Sequence, residues 1–200
     1  MMYAVLMTDV TGNAPPHCRW SKQAFIPLQW IKAFLRGQVG DLTRHFSVDA
    51  YFRRGDRVSI TTDASPWGLG GVLMLDGTVA SIFSSQVTAY DRKVLSMPPT
   101  PSSSDQQVLE ALSILVALRE WSPRWRDRRV QLCINSDNIG ALTLCCKMQP
   151  HSAQLGIIAR ELAIDIGLSS YAPDDVMHVP GVSMGAADVL SRLHQPGFAT

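Results

Sequence analysis

Residues 58–84 read VSITTDASPWGLGGVLMLDGTVASIFS, and this stretch decides the fold. It contains three short runs with the composition of β-strands, VSITTDA, LGGVLML and VASIFS, which are separated by turn-forming residues. Asp76-Gly77 joins the second run to the third, and this dipeptide is a strong hairpin signal. The stretch therefore predicts an antiparallel meander of three strands.

Helical and strand patterns follow the meander. Residues 84–104 are rich in Ser, Thr and Pro, and they predict a loop that supplies a helix cap at Ser103 or Ser104. A helix is expected over about 105–121, where apolar residues recur at helical spacing and Pro123 ends the pattern. The remaining segments RRVQLCIN, DNIGALTLCCK, HSAQLGIIARELAIDIG, DVMHVPG and SMGAADVLSRL predict strand, helix, helix, strand and helix. The order βββαβααβα indicates an α/β fold, in which helices flank a five-stranded mixed β-sheet.

Length and composition suggest one main domain with an appendage. The chain has 200 residues, of which 46% are hydrophobic, and this is enough for one substantial core. Residues 1–57 lack the regular pattern and predict an N-terminal appendage with one helix in FIPLQWIKAFLRG. The main domain is expected at 58–194 and a tail at 195–200. The net charge of +1 excludes a global positive field, so any nucleic-acid binding must depend on local patches.

Cysteine usage and hydropathy predict an intracellular protein. Cys18, Cys133, Cys145 and Cys146 form no CxxC pair, and adjacent cysteines rarely form a structural disulfide, so we expect reduced, buried thiols. The start MMYAVLM is too short for a signal-peptide core, and no apolar stretch is long enough to span a bilayer. We therefore expect a protein of the cytoplasm or nucleus with no membrane partner.

Three acidic residues are predicted to meet at one end of the sheet. Asp63 ends the first strand, on the same face as Ser59 and Thr61. Glu110 lies about two turns into its helix, and Asp137 follows the next strand. Because that helix and the returning strand run antiparallel, Glu110 and Asp137 should lie close together.

A fourth acid completes the set. Asp188 lies about two turns into the last helix if Ser183 caps that helix. Taken singly, each acid is typical of a solvated cap or turn. Four carboxylates that meet without a metal would repel one another, whereas hard divalent ions prefer oxygen ligands. Two-metal hydrolysis of a phosphodiester is a reaction that uses such a set.

Four motifs, in this order over roughly 58–193, resemble the ribonuclease H domain of retrotransposon polyproteins. TTDASPWGLGGVL resembles the first-strand motif, DQQVLEALSILVALREW the catalytic-glutamate helix, INSDNIGAL the third-acid turn and HVPGVSMGAADVLSRL the closing motif. The resemblance implies a ribonuclease H-like fold and metal-dependent cleavage of the RNA strand of an RNA/DNA hybrid. It also implies two Mg²⁺ ions, with Mn²⁺ as an alternative, and an upstream reverse transcriptase polymerase region joined through residues 1–57.

The resemblance assigns roles to individual residues. The catalytic metal ligands would be Asp63, Glu110, Asp137 and Asp188. The expected substrate-binding residues are Gln106 and Gln107, which match a polar pair that contacts the hybrid in its minor groove, together with Asn138 and Ser65. The alternative for the residues of this second set is an ordinary solvated helix start.

The closing motif departs from the family pattern in two ways. Met184 stands four residues before Asp188, where the family usually has Asn, and a Met side chain cannot orient a carboxylate. This substitution predicts weakened activity. The loop GVSMG also lacks the mobile His of many relatives, and His178 in the preceding strand is expected to be a packed or rim histidine.

Two other functions are alternatives to this prediction, and two further motifs resemble nucleic-acid-related signatures. Met184 favours a catalytically inactive docking module of a retroelement polyprotein, but the presence of all four acids argues against it. An integrase-like core is the other alternative, and such cores lack the four-motif order. YAPDD at 171–175 resembles a polymerase signature, but Pro173 favours an ordinary turn. WSPRWRDRR at 121–129 has Trp and charged residues interleaved, which suggests either a solvated loop or a nucleic-acid patch distant from the acids.

Overall fold

The computed structural model describes residues 21–38, 52, 54–99, 102, 105–125, 130–168 and 175–198. The chain divides into two units, Met1–His45 and Phe46–Thr200. In the first unit, helix α1 spans Ser21–Leu35, where the sequence predicts a helix. Gly37 lies just beyond it with φ +66°, a left-handed conformation that often follows the end of a helix.

The second unit contains a mixed sheet of five strands. The strands are β1 Asp56–Ala64, β2 Gly68–Leu75, β3 Thr78–Gln86, β4 Val130–Ser136 and β5 Asp175–His178. The first three form the antiparallel meander, and β4 and β5 extend the sheet in parallel, so that the order is β3-β2-β1-β4-β5. The predicted mixed sheet is therefore confirmed.

The hairpin between β2 and β3 forms at the predicted dipeptide. Asp76 and Gly77 have φ values of +48° and +83°. Positive φ at both central positions is the geometry of a type I′ turn, whose twist matches that of the flanking strands. Leu75 and Thr78 are the first paired residues on either side of the turn.

The helices of the second unit follow the predicted order with one addition. They are α2 Ala89–Val94, α3 Gln106–Trp121, α4 Ile139–Lys147, α5 Ala153–Leu168 and α6 Gly185–Arg192, with short 3₁₀ turns at Ser122–Arg124 and Gly181–Ser183. The prediction of a loop over 84–104 is wrong, because β3 extends to Gln86 and α2 follows.

Helix α2 forms because its first turn is fully capped. The Thr88 hydroxyl accepts a hydrogen bond from the backbone N–H of Asp91, and the Asp91 carboxylate accepts one from the N–H of Thr88 at 2.8 Å. This reciprocal capping box satisfies two backbone N–H groups and stabilises the start of the helix. Ser103 and Ser104, the predicted caps of α3, lie outside the described residues, and Asp105 is the residue that precedes this helix.

One core lies between the sheet and helices α3, α4 and α5, and a smaller one lies under α6. Trp121 and Trp125 are both buried in the main core, and the ring of Trp121 meets that of Phe83 edge-on, with 5.5 Å between centroids. Both interpretations of WSPRWRDRR, a solvated loop and a nucleic-acid patch, are therefore wrong for these tryptophans. Residues 126–129 of that motif lie outside the described part of the chain.

The thiols differ in burial. Cys145 is buried, Cys133 is half-buried and Cys146 is exposed, so the prediction of buried thiols is wrong for Cys146. Successive residues of a helix point about 100° apart, and only one of two adjacent side chains faces the core.

Cys18 and residues 171–174 of YAPDD lie outside the described residues. Among the described helices, none is long and apolar enough to cross a membrane.

Candidate functional site

Three of the four predicted acids come together at one edge of the sheet. A carboxylate oxygen from each of Asp63, Glu110 and Asp137 lies within 4.8 Å of the others. Asp63 is near the end of β1 and Asp137 directly follows β4, and these neighbouring parallel strands end at the same edge. Glu110 reaches the same point from the second turn of α3. The predicted proximity of Glu110 and Asp137 is confirmed.

Asp63 is a buried carboxylate in a mixed electrostatic environment. It is 7% exposed, and Oδ2 accepts a hydrogen bond of 2.7 Å from the hydroxyl of Ser191. Burial raises the pKa of Asp63 to about 6, against lowering by the Ser191 hydrogen bond and the positive charge of Arg192. The negative charges of Asp188 and Asp137 contribute to the same rise. The ionised form of Asp63 is therefore less favoured than that of an ordinary aspartate, and a bound cation would favour it.

Glu110 is the most deeply buried of the three acids. Its side chain is 1% exposed, and burial together with the charge of Asp63 raises its pKa to about 8. Oε1 accepts hydrogen bonds from the backbone N–H of Ala64 at 3.2 Å and from the side-chain amide of Gln106 at 2.8 Å. Oε2 is fully buried and receives no hydrogen bond from the described residues.

Asp137 is the accessible member of the group. Its side chain is partly exposed, and its backbone carbonyl oxygen accepts a hydrogen bond of 3.0 Å from Nε2 of His178 at the end of β5. His178 is itself exposed, which fits the prediction of a rim histidine. The accessible face of Asp137 leaves an approach to the three carboxylates from solvent.

Asp188 lies beside this group but is not one of the three that meet. It is in the first turn of α6, since the helix begins at Gly185 and Ser183 does not cap it. The prediction that Asp188 lies two turns into the helix is therefore wrong. Oδ1 accepts a hydrogen bond of 2.6 Å from Nε of Arg192, one turn further along the helix. The negative charge of Asp188 still acts on Asp63.

Gly70 allows α6 to approach the sheet closely. A Cβ atom built on Gly70 would lie 2.5 Å from the backbone nitrogen of Ser191 and 2.8 Å from Cβ of Leu190. Any larger residue at position 70 would push α6 away from the sheet, and the hydrogen bond from the Ser191 hydroxyl to Asp63 would then be lost. No sequence signal predicted that Ser191 is the residue that this close approach brings to Asp63.

Met184 belongs to the smaller core. Its side chain is 2% exposed and packs with Val72 and Ala187 under α6. Its backbone carbonyl oxygen accepts a hydrogen bond of 3.0 Å from the N–H of Asp188. The side chain thus contributes apolar packing at the base of the helix that carries Asp188.

Three of the residues predicted to bind substrate contact other residues of the protein. Ser65 is buried, and its hydroxyl donates to the carbonyl oxygen of Ser191 at 2.7 Å. Asn138 caps α4, because its side-chain oxygen accepts a hydrogen bond of 3.0 Å from the N–H of Ala141. Gln107 is partly exposed and lies against Gly140, where a Cβ atom would collide with its amide group. Contacts between these residues and a hybrid stay predictions.

The donor set fits a hard divalent cation. Its three carboxylates offer only oxygen ligands, which Mg²⁺ and Mn²⁺ prefer. A buried polar atom without a partner is rare in folded proteins, and the Oε2 atom of Glu110 has none among the residues that the structure describes. A cation bound at this point would compensate the unpaired oxygen, and it would also offset the burial and the mutual repulsion that raise the pKa values of Asp63 and Glu110.

The fold also occurs in solved structures of ribonucleases H. LC11-RNase H1, isolated from compost by a metagenomic approach and solved in complex with RNA/DNA hybrid, gives a TM-score of 0.52 at 14% identity. The match covers 67% of this chain and 93% of that chain. RNase H1 from the halophilic archaeon Halobacterium salinarum NRC-1 gives 0.48 at 15% identity, with 67% and 93% covered. No protein-family model and no curated protein matches the chain. The order of the sheet and the match to LC11-RNase H1 show that the chain contains a ribonuclease H-like fold.

Proposed function

We propose that this chain is a divalent-metal-dependent nuclease that cleaves the RNA strand of RNA/DNA hybrids. The observation that carries the proposal is the meeting of Asp63, Glu110 and Asp137 at one sheet edge, with two of the three carboxylates buried. Buried acids of like charge are costly unless a cation joins them. The hybrid bound to LC11-RNase H1, which shares the fold, supports RNA/DNA hybrid as the substrate class.

In the proposed site, Asp63, Glu110 and Asp137 hold Mg²⁺ or Mn²⁺, and Asp188 completes the ligand set for a second ion. Bound divalent ions supply charge stabilisation for the leaving oxygen and activation of water in phosphodiester hydrolysis. The protein's contribution is to hold the carboxylates in place before the ions bind. The hydroxyl of Ser191 donates a hydrogen bond to Asp63, and the backbone N–H of Ala64 donates one to Glu110.

Recognition of the hybrid is proposed to depend on polar residues around the acids. Gln107 is a partly exposed candidate, and it lies beside the Asn138 cap of α4. Ribose 2′-hydroxyls are exposed in the wide minor groove of A-form helices, where amide side chains can contact them. Such contacts would distinguish the RNA strand from DNA.

We further infer a retroelement origin for the domain. The ordered motifs around Asp63, Glu110, Asp137 and Asp188 resemble those of the ribonuclease H part of a retroelement reverse transcriptase, and this resemblance supports the inference. Residues 1–57 would then connect the catalytic domain at 58–194 to an upstream polymerase region.

A second candidate is a catalytically inactive docking module with the same fold. Its support is the state of Asp188, whose carboxylate is paired with Arg192 and lies outside the three-acid group. In this alternative the acids remain without a second ion, and the chain binds its partner without cleaving RNA.

The distinguishing experiment compares matched carboxylate variants on one substrate. The purified chain is incubated with an RNA/DNA hybrid that carries a label on the RNA strand, in the presence of Mg²⁺ or Mn²⁺. Asp137→Asn should reduce cleavage by more than roughly 100-fold, the upper range for substitutions of residues that contact a metal ligand but not the metal. Asp175→Asn, at an exposed acid on β5, is the control and should cleave like the unmodified chain. A folded chain that does not cleave the hybrid would favour the docking module.

A further inference from the structure

We infer that Gln106 is a positioning residue that fixes the carboxylate of Glu110 for metal binding. The inference rests on the proposed function and extends it to a residue one helical turn before the metal ligand. Residues four apart on a helix lie on the same face, so the two side chains are neighbours. Sequence resemblance assigns Gln106 to substrate contact instead, so the two roles make different predictions.

The amide group of Gln106 has both of its hydrogens engaged inside the protein. Nε2 donates to Oε1 of Glu110 at 2.8 Å and to the backbone carbonyl oxygen of Ala64 at 2.6 Å. Both partners are acceptors, so the nitrogen rather than the oxygen of the amide must face them. This leaves the carbonyl oxygen of Gln106, which can only accept, for contact with anything outside the protein.

Gln106 and Ala64 together orient the carboxylate. The backbone N–H of Ala64 also donates to Oε1 of Glu110, at 3.2 Å. These three hydrogen bonds comprise two between the end of β1 and the first turns of α3 and one within α3. They engage Oε1 twice, whereas the buried Oε2 receives none from the described residues. The carboxylate is held with one oxygen bound to the protein and the other left for a cation.

The neighbouring glutamine supplies a matched control. Gln107 has the same side chain and the same partial exposure, but it lies against Gly140 on α4. A substrate contact could come from either glutamine. The hydrogen bonds to Glu110 and to the end of β1 come from Gln106.

The test measures Mn²⁺ binding by calorimetry without any nucleic acid, on the full chain. Gln106→Met keeps the length of the side chain and removes its hydrogen bonds, and Gln107→Met is the control. Gln106→Met should weaken Mn²⁺ binding about 10-fold or more, in the range found for partners that orient metal ligands. Gln107→Met should bind Mn²⁺ like the unmodified chain. Circular dichroism melts of all three proteins establish that the variants are folded.

Steady-state cleavage kinetics also distinguish the two candidate roles of Gln106, which are positioning of Glu110 and contact with the substrate. A positioning residue predicts that Gln106→Met lowers kcat, and that Gln106→Glu, which also loses the donors, lowers it too. Unchanged Mn²⁺ affinity in both Gln106 variants, with only a raised KM for the hybrid, would overturn the inference and leave the proposed function intact. Absence of Mn²⁺ binding by the unmodified chain would instead overturn the proposed function.

Discussion

The hydroxyl of Ser191 donates a hydrogen bond of 2.7 Å to Oδ2 of Asp63, although the two residues are 128 positions apart in the sequence. Ser191 is fully buried, so water does not compete for this bond. Its hydroxyl oxygen also lies 2.9 Å from the carbonyl oxygen of Asp188. One serine therefore connects the end of β1 to the first turn of the last helix, where two predicted metal ligands lie.

Replacing Ser191 by Ala should weaken the site without unfolding the chain. The hydrogen bond from Ser191 lowers the pKa of Asp63, so its loss should raise that pKa and favour the protonated acid over the metal-bound form. Cleavage of a hybrid should fall by about 10- to 100-fold. The control is Ser122→Ala, which removes an exposed hydroxyl bonded to a backbone carbonyl and should change the rate by less than about two-fold. Equal rates for the two variants would contradict this role of Ser191.

Stability of the metal-free chain should fall as the pH rises. Folding raises the pKa of Glu110 from 4.5 to about 8, so between these values the folded chain keeps a proton that the unfolded chain has released. The stabilising contribution is complete below the unfolded pKa and is lost as the pH rises through the folded one. Asp63 acts in the same direction between 3.8 and about 6. Urea unfolding in EDTA should show a loss of the order of a few kcal/mol across this window.

Glu110→Gln is the matched control for the pH series. Its uncharged side chain should flatten most of the slope between pH 5 and 8, since the main titrating group is gone. Mg²⁺ should stabilise the unmodified chain more at pH 8 than at pH 6, because metal ligands must be deprotonated. Metal-free stability that rises with pH over this range would contradict the raised pKa of Glu110.

Restoring the family's Asn at position 184 should cost stability rather than improve the site. Met184 packs against Val72 and Ala187, and a buried amide there would lose this packing and require hydrogen-bond partners. Met184→Asn should lower the free energy of unfolding by about 2 to 5 kcal/mol. Met184→Leu, which preserves volume, should cost less than about 1.5 kcal/mol. An Asn variant as stable as the unmodified chain, with faster cleavage, would show that Met184 weakens the site.

Asp188→Asn should separate metal binding from cleavage. The three-acid group remains intact in this variant, so Mn²⁺ affinity should fall less than it does in Asp63→Asn. The pKa of Asp63, followed by NMR, should move down because the negative charge of Asp188 is removed. Loss of the exposed ion pair with Arg192 should cost at most about 1 kcal/mol. Cleavage should nevertheless be lost, and full activity in this variant would exclude Asp188 from the metal site.

Local sequence signals predicted most of the sheet and helices. Asp76-Gly77 predicted the hairpin because two positive φ values need such residues, and apolar spacing predicted α3 to within one residue. Helix α2 was not predicted, because the composition of 84–104 concealed the capping box of Thr88 and Asp91. The Ser, Thr and Pro content of that segment favoured a loop and the capping box favoured a helix, and a helix formed over Ala89–Val94.

The site was less predictable, because it depends on contacts that are distant in sequence. The directions of the strand and the helix were enough to predict that Glu110 lies close to Asp137. The contact of Ser191 with Asp63 depends on how closely α6 packs against Gly70, and no local pattern encodes that distance. The pairing of Asp188 with Arg192 is a choice of side-chain rotamer on one helix face, which spacing permits but does not fix.

The most direct measurement of the central claim is strand-resolved cleavage of an RNA/DNA hybrid that carries a different label on each strand. With Mg²⁺ present, the unmodified chain should cut the RNA strand at internal positions and leave the DNA strand intact, and EDTA should stop the reaction. Asp63→Asn and Glu110→Gln should be inactive under the same conditions, because each removes a carboxylate from the three-acid group. Cutting of the DNA strand, cleavage that persists in EDTA, or an intact hybrid after incubation with the folded chain would contradict the account.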